Sequence, residues 1–288
     1  MKADCEDGWC RVPAGCFVIG SPLGEWHRGA LTEDQKAVTL THAFNIQQTE
    51  MTRAQWRDIT AVETSPTPQF ACLEDDCPVT MVTWWEAVLA ANMLSEKEGL
   101  PSCYQPYGCT GELGKGRVCE GFENANDSLY DCLGYRLPTR AESEYSARAG
   151  TTTAFYSGDI LERAVTQECS REPNLDRIAW YCHNSEGKPH RVALLEPNGF
   201  GLYDQLGNVE ELLNDVEYWA SSPGGTDPEG MVSRPDAQGV ASSRVIRGGR
   251  VDLQGWLSRA ANRSDSRWNA YGEYRSLIGF RLVRSLPK

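Results

Sequence analysis

The stretch from Asn198 to Asp215, NGFGLYDQLGNVEELLND, places the tightest constraint on how this chain folds. Gly199, Gly201 and Gly207 mark sharp turns, because glycine alone reaches left-handed φ without steric cost. Between them lie Phe200, Leu202, Tyr203 and Leu206, which need burial, interleaved with Asp204, Asn208, Glu210 and Glu211. Oxygen-bearing side chains on a turning backbone also expose carbonyls, and such a set can cage Ca²⁺. Taken alone, the simpler reading is a buried turn whose polar groups cap their own backbone.

Three helix starts share one chemistry. Thr52, Thr83 and Thr139 each precede Gln or Glu by three positions (Gln55, Glu86, Glu142), the pattern of a capping box. The second helix is expected from Trp84 to about Lys97, stopping at Gly99. Trp84, Ala87, Val88, Ala91 and Leu94 give it one apolar face. The third is expected from about Arg140 to Ala149, stopping at Gly150. Strand-like pieces are Phe17–Ile19, Val38–Leu40 and Phe44–Ile46. Arg244–Arg247 and Ile278–Val283 read as paired strands around a polar, aromatic segment. Residues 1–16 read as a cysteine-containing lead, 103–132 as a loop-rich insert, 151–200 as irregular, and 221–243 as a long loop. There is no internal repeat or linker, so one α+β domain over residues 1–288 is the expectation.

Composition narrows the function. With 28 Lys plus Arg against 40 Asp plus Glu, and no basic–aromatic stripe, the chain is a poor nucleic-acid binder. No apolar run reaches about 18 residues, so no membrane span is expected. The eleven cysteines all lie between Cys5 and Cys182, without a C-x-x-C pair, which weakens zinc and thioredoxin-type readings. Their loop-like surroundings suit disulfides and an extracytoplasmic site, any export signal or anchor lying outside this sequence. Cys72 with Cys77 and Cys169 with Cys182 are expected as local bridges. Cys103, Cys109, Cys119 and Cys132 are expected to pair among themselves in one of three connectivities, leaving over one of Cys5, Cys10 and Cys16.

Six blocks in order then resemble the formylglycine-generating enzyme family, the sulfatase-modifying factors. Asn198–Asp215 looks like its GLYD…GNVWEW block, and Phe17–Glu25 like its opening block. Phe44–Trp56, Pro78–Pro101, Gly134–Gly150, and Arg244–Arg263 with Ile278–Val283 look like the others. The resemblance implies a variant of the C-type lectin fold with little regular secondary structure. It also implies a structural Ca²⁺ held by Asp204 and Glu211 carboxylates and by Gly207 and Val209 carbonyls. A second family site maps weakly near Asn174 and Asn184.

The family's enzymes oxidise a substrate cysteine with O₂, using two cysteines after the Gly-Gly-Ser motif to bind copper as thiolates. Here the matching segment, Gly249–Arg263, has no cysteine, so copper is not expected. The Trp positions of GNVWEW are Glu210 and Leu212, and the Ser-Trp pair after the glycines is Arg250 and Val251. A three-histidine iron site, as in relatives making sulfur-containing histidine derivatives, finds no support: His27, His42, His183 and His190 lack ligand spacing. Glu33 with Asp34, and Glu210 with Glu211, read as solvated acidic turns rather than an acid–base pair.

Two functions follow. The first is a module binding a peptide, protein or small molecule through residues 250–277. Its expected contacts are Asp252, Gln254, Trp256, Arg259, Arg263, Trp268, Asn269, Tyr271 and Tyr274, with Glu210 nearby. Trp, Tyr and Arg dominate recognition hot spots, and the resemblance adds relatives that vary this stretch to change ligands. The second is an oxidoreductase of the formylglycine-generating type with displaced metal ligands.

Overall fold

The computed structural model describes residues 3–29, 32–66, 70–161, 169–216, 223–230, 244–263 and 277–287. The three threonines begin the three α-helices of the described residues: α1, Arg53–Thr60; α2, Trp84–Lys97; and α3, Arg140–Arg148. At each, the Thr hydroxyl accepts from the backbone N–H three residues on, and the Gln or Glu side chain reaches back to the Thr N–H. Ala61 and Ala149 close α1 and α3 in left-handed geometry, and Gly99 and Gly150 follow the ends of α2 and α3. The apolar stripe of α2 is buried except for half-covered Leu94, and so are Glu86 and Ala90 off that stripe. Glu86 is tolerated because its carboxylate accepts from the N–H groups of Thr83, Gly114, Gly116 and Arg117. These bonds fasten the 103–132 insert to the helix.

The strands fall into small sheets. Strands β1 (Cys5–Glu6), β2 (Trp9–Val12), β5 (Phe44–Gln47), β13 (Val283–Ser285) and β8 (Tyr135–Arg136) form a five-stranded antiparallel sheet in the order β1-β2-β5-β13-β8. The expected lead is therefore sheet. Cys10, Val12 and Phe44 are apolar enough to bury, and β2 pairs directly with β5. Strand β3 (Gly15–Ile19) pairs with β4 (Lys36–Leu40), and β10 (Gly225–Thr226) runs parallel to β4. Strands β6 (Tyr104–Tyr107) and β7 (Gly121–Asn124) give the insert a hairpin.

The third sheet corrects the sequence reading of the C-terminal strands. Strand β9 (Glu210–Val216) is central, flanked by β11 (Arg244–Arg247) antiparallel and β12 (Ile278–Gly279) parallel. Arg244–Arg247 and Ile278–Val283 thus do not pair with each other: β12 joins β9, and β13 joins the five-stranded sheet. Every residue of β9 is buried although four of seven are acidic or amide. Side-chain partners resolve the contradiction. Arg250 Nη1 meets Glu210 at 2.6 Å, Arg281 holds Glu211, the Tyr104 hydroxyl donates to Asn214 Oδ1, and Arg140 N donates to Asp215 Oδ2. The pair Glu210–Glu211 is therefore a buried strand segment, not a solvated turn, and Glu33 is likewise buried.

Five disulfides join Cys5–Cys10, Cys72–Cys77, Cys103–Cys132, Cys109–Cys119 and Cys169–Cys182, leaving Cys16 exposed. This matches the expected local bridges and the single leftover cysteine, and it selects one of the three connectivities of the central four. No helix among the described residues is long and apolar enough to cross a membrane.

Candidate functional site

The glycine-rich turn comes first. Asn208 and Asp204 both have positive φ, 57° and 52°, a region that Asn and Asp enter more readily than other non-glycine residues. Gly207 has φ 85°, and a Cβ there would lie 2.4 Å from the Trp180 carbonyl, so this position requires glycine. Asn208 locks the turn: its Oδ1 accepts from His190 N, and its Nδ2 donates to Glu50 Oε2 at 2.9 Å. Glu50 Oε1 accepts from Val209 N at 3.1 Å.

Three buried carboxylates, Glu50, Asp204 and Glu211, gather here around one buried guanidinium, Arg281. Arg281 Nε and Nη2 donate to Glu211, the closest contact being 2.6 Å, and Nη2 also reaches the carbonyls of Tyr203 and Asp204. Asp204 Oδ2 accepts from Ala193 N at 2.8 Å. Negative charge exceeds positive charge in a desolvated space. Burial accordingly pushes Glu50 well above the usual carboxylate range, with repulsion from Asp204 and Glu211 adding to it. Burial raises Asp204 to about 6, and raises Glu211 against the pull of Arg281. Of the expected ion ligands, Asp204 and Glu211 are buried in this cluster, and Gly207 and Val209 lie on the chain between them. Both Glu211 oxygens accept from Arg281 Nε. Sequence reading missed Glu50 and Arg281, although both lie in blocks it had singled out.

The second expected ion position, near Asn174 and Asn184, is built differently. Asn174 Nδ2 donates to the Asp159 carbonyl, and the Asn184 side chain bonds to the backbone of Ala179 and Tyr181. Both amides serve local loop closure.

The ligand segment follows β11. Gly248 and Gly249 turn the chain, and a short 3₁₀ turn spans Gly255–Ser258. Arg250 straps the segment down by bonding both Glu210 and Asp252 Oδ1, each at 2.6 Å. Arg259 is its floor rather than its face. Its side chain is fully buried and donates to Glu25 and Glu33 at 2.7 Å, to the His27 carbonyl at 2.7 Å, and to the Trp256 carbonyl. Burial raises Glu25 against the pull of Arg259; at Glu33 burial also raises, but the hydrogen bonds and charge of Arg259, with hydrogen bonds from Ser21 and Gly29, together outweigh it and hold the carboxyl below its ordinary value.

The segment and the loop through residues 21–29 therefore form one surface. His27 stacks on Trp256 with ring centroids 4.8 Å apart, beside Trp26, which is 44% exposed. Asp252 is exposed, and Gln254, Trp256 and Arg263 are half-buried. Glu210 lies beneath them, buried against Arg250. Trp268, Asn269, Tyr271 and Tyr274 lie outside the described residues. Trp256 has one face packed on the cluster of Ile160, Leu175 and Tyr181, so it is both anchor and surface. The contribution of His27 and Trp26 was missed because the loop is more than two hundred residues away in sequence. Cys182 N donates to the Leu253 carbonyl, which brings the Cys169–Cys182 disulfide beside this segment. An open depression of about 590 Å³, lined by Ala3, Asp4, Arg11, Pro13, Ala14, Ala43 and Phe200, contains none of the expected site residues.

Comparison with known proteins places these features. The family model for the sulfatase-modifying factor enzyme 1-like domain matches residues 2–286. The chain is similar to a formylglycine-generating enzyme of Streptomyces coelicolor, 29% identical over 264 residues, covering 84% of this chain and 78% of that one. It is also similar to a chaperone protein LppX of Paenibacillus barcinonensis, 28% identical over 246 residues, covering 76% and 78%. Among solved structures, Treponema denticola variable protein 1 superposes with a TM-score of 0.70 at 25% identity, over 96% of this chain and 94% of that one. With a family model across nearly its whole length and a mixed α+β architecture like that of solved family-like structures, the chain belongs to the sulfatase-modifying factor (formylglycine-generating enzyme) family.

Proposed function

We propose that this protein is an extracytoplasmic binding module that holds a peptide or protein ligand against the segment from Gly249 to Arg263. The observation that carries this reading is the loss of sulfur from a segment whose scaffold persists. No cysteine lies in it, and ten of the eleven cysteines in the chain are tied in disulfides. Carboxylate, amide and guanidinium groups stand there instead, and these are poor ligands for Cu(I). The segment is nevertheless fixed from beneath by Arg259 and Arg250, which lowers the entropy cost of binding. The chaperone name of the Paenibacillus relative fits a protein-binding role. Five disulfides fit an oxidising compartment.

The test is direct. A cysteine-containing sulfatase peptide is expected to show no conversion, with or without added copper. Against an immobilised peptide library, Trp256→Ala is expected to keep the far-UV spectrum and weaken binding at least about tenfold, the scale of a hot-spot residue. Copper-dependent turnover would overturn the reading. A second reading has one observation in its favour, the Cys169–Cys182 pair beside Leu253. If that pair opens to thiols and supports oxidation, turnover will appear only after reduction and will vanish in Cys182→Ser.

We further propose that Asp204, Glu211 and the Gly207 and Val209 carbonyls bind a structural Ca²⁺, with Glu50 holding the turn through Asn208 and Val209. Because Asp204 is raised in the folded state, its contribution to stability is full below the ordinary aspartate range and is lost as pH rises through about 6. In EDTA, therefore, the melting temperature is expected to rise as pH falls from 7 toward 5. Calcium reverses this, because it binds the ionised cluster. At a hundredfold excess over Kd it adds about 2.7 kcal/mol, several degrees of Tm, at pH 7 and little at pH 5. Identical melting curves in calcium and EDTA at pH 7, or identical curves for Asp204→Ala, would remove the ion from the proposal.

A further inference from the structure

The open depression beside the five-stranded sheet carries charge of its own. The Cys5–Cys10 disulfide staples β1 to β2, and the ladder continues one pair further, because Arg11 N donates to the Asp4 carbonyl at 2.8 Å. Asp4 therefore stands opposite Arg11. Residues opposite each other on antiparallel strands share a face, with Cβ atoms about 5 Å apart. The same alternation brings Pro13, two positions after Arg11, and Ala43, two positions before its β5 partner Asn45, to that side.

Asp4, Arg11, Pro13, Ala14, Ala43 and Phe200 line about 590 Å³ of space. Small-molecule pockets span about 300–1,000 Å³. The walls are built before any ligand arrives. Phe200 is 4% exposed and packs on Tyr145 with ring centroids 5.6 Å apart, and the Ala43 carbonyl accepts from Leu286 N at 3.0 Å. Asp4 and Arg11 are both exposed, and among the described residues no ion pair or side-chain hydrogen bond engages either charge. Other exposed arginines of this protein close on the carboxylates they face, Arg191 on Asp76 at 2.6 Å and Arg177 on Glu196 at 3.2 Å. Asp4 and Arg11 are neighbours of opposite charge that stay apart.

We propose that this depression binds a free α-amino acid with a bulky apolar side chain. Its carboxylate meets the Arg11 guanidinium, its ammonium meets the Asp4 carboxylate, and its side chain lies over Phe200, Pro13 and Ala43. The charge pattern selects this class. A guanidinium fork takes a carboxylate through two parallel hydrogen bonds, and a carboxylate accepts from an ammonium. A ligand with both groups on one carbon bridges two charges that do not reach each other. An apolar acid without the ammonium brings its carboxylate beside Asp4 and is repelled. The apolar end has no side-chain hydrogen-bonding group and Pro13 has no backbone N–H, so a polar ligand side chain loses water there without a partner. The disulfide adjoining both residues fixes their spacing, which lowers the cost of ordering the site. The depression shares no residue with the ligand segment or the Asp204 cluster, so the proposal stands apart from both readings given above.

The experiment titrates the full, oxidised chain with L-phenylalanine at pH 7 and low salt by isothermal titration calorimetry. Saturable binding at a single site is expected. N-acetyl-L-phenylalanine lacks the ammonium, L-phenylalaninamide lacks the carboxylate and glycine lacks the side chain. Each is expected to bind about tenfold or more weakly, the scale of one charge-assisted contact or one buried side chain. Arg11→Gln and Asp4→Asn change exposed groups, so both are expected to keep the wild-type melting temperature and to weaken L-phenylalanine about tenfold. The pairing is specific: Arg11→Gln is expected to stop distinguishing L-phenylalanine from its amide, and Asp4→Asn to stop distinguishing it from the N-acetyl form. Ala14→Phe fills the depression without touching a charge and is expected to weaken binding as well. No saturable binding of L-phenylalanine, equal affinity for glycine or for the N-acetyl form in the wild type, or unchanged affinity in Arg11→Gln and Asp4→Asn would overturn the proposal.

Discussion

Replacing Arg281 by Met is expected to cost about 3–5 kcal/mol of folding stability at pH 7 in EDTA, the scale of removing one partner from a buried ion pair. Among the described residues Arg281 is the guanidinium that faces Glu50, Asp204 and Glu211, and it also donates to the carbonyls of Gln47, Tyr203 and Asp204. Without it, three desolvated carboxylates face one another, and each binds its proton more tightly in the folded state. Stability gained from that tighter protonation exists at low pH and is lost as pH rises, so acid partly rescues the variant. Calcium is expected to rescue it at neutral pH by supplying the missing positive charge. Urea unfolding at pH 5 and pH 7, with EDTA or calcium, separates these effects. A loss below about 1 kcal/mol that is independent of pH would mean the cluster is neutral in the native protein.

The second large effect is expected at Arg259. Arg259→Met takes the guanidinium from Glu25 and Glu33, leaving Glu33 only the Ser21 hydroxyl and the Gly29 N–H, and is expected to lose about 3–5 kcal/mol. Arg259→Lys keeps the charge but cannot reach two carboxylates and two carbonyls from one fork, so an intermediate loss is expected. In the wild type, Glu33 is held below its ordinary range, so its contribution is present above that range and is lost as pH falls through the lowered value. In Arg259→Met both carboxylates shift upward instead, and the deficit shrinks in acid. The loop through residues 21–29 is also expected to become sensitive to proteolysis, because the His27–Trp256 stack loses its support. If Arg259→Met melts like the wild type and the loop stays protected, the segment is held by something other than this network.

These two arginines show where sequence reading stopped. Both were placed in blocks of interest, but Arg259 was assigned to a ligand face and Arg281 was given no site role. A guanidinium in a polar stretch reads the same whether it points outward or into a buried pair of carboxylates. Strand β9 was missed for the same reason. Four acidic or amide residues in seven argue against burial unless the neutralising groups are known. Those groups, Arg250 for Glu210 and Arg281 for Glu211, lie 40 and 70 positions away.

What local chemistry fixes was readable from the chain alone. A Thr followed by Glu or Gln three positions on satisfies orphan backbone N–H groups within one turn, and all three such sites begin helices. Cysteines five to thirteen positions apart close short loops, and the two local bridges assigned in advance are present. Of the three glycines of the central turn, Gly201 and Gly207 take positive φ and Gly199 does not, while Asp204 and Asn208 supply two further positive-φ positions. The absence of sulfur from Gly249–Arg263 is likewise a property of sequence. Tertiary structure decided the rest. It added Glu50 to Asp204 and Glu211, brought His27 onto Trp256, and turned Arg259 inward beneath the face it was expected to line. Each of these rests on long-range charge balance in a desolvated interior, where one distant partner reverses the cost of burying a carboxylate.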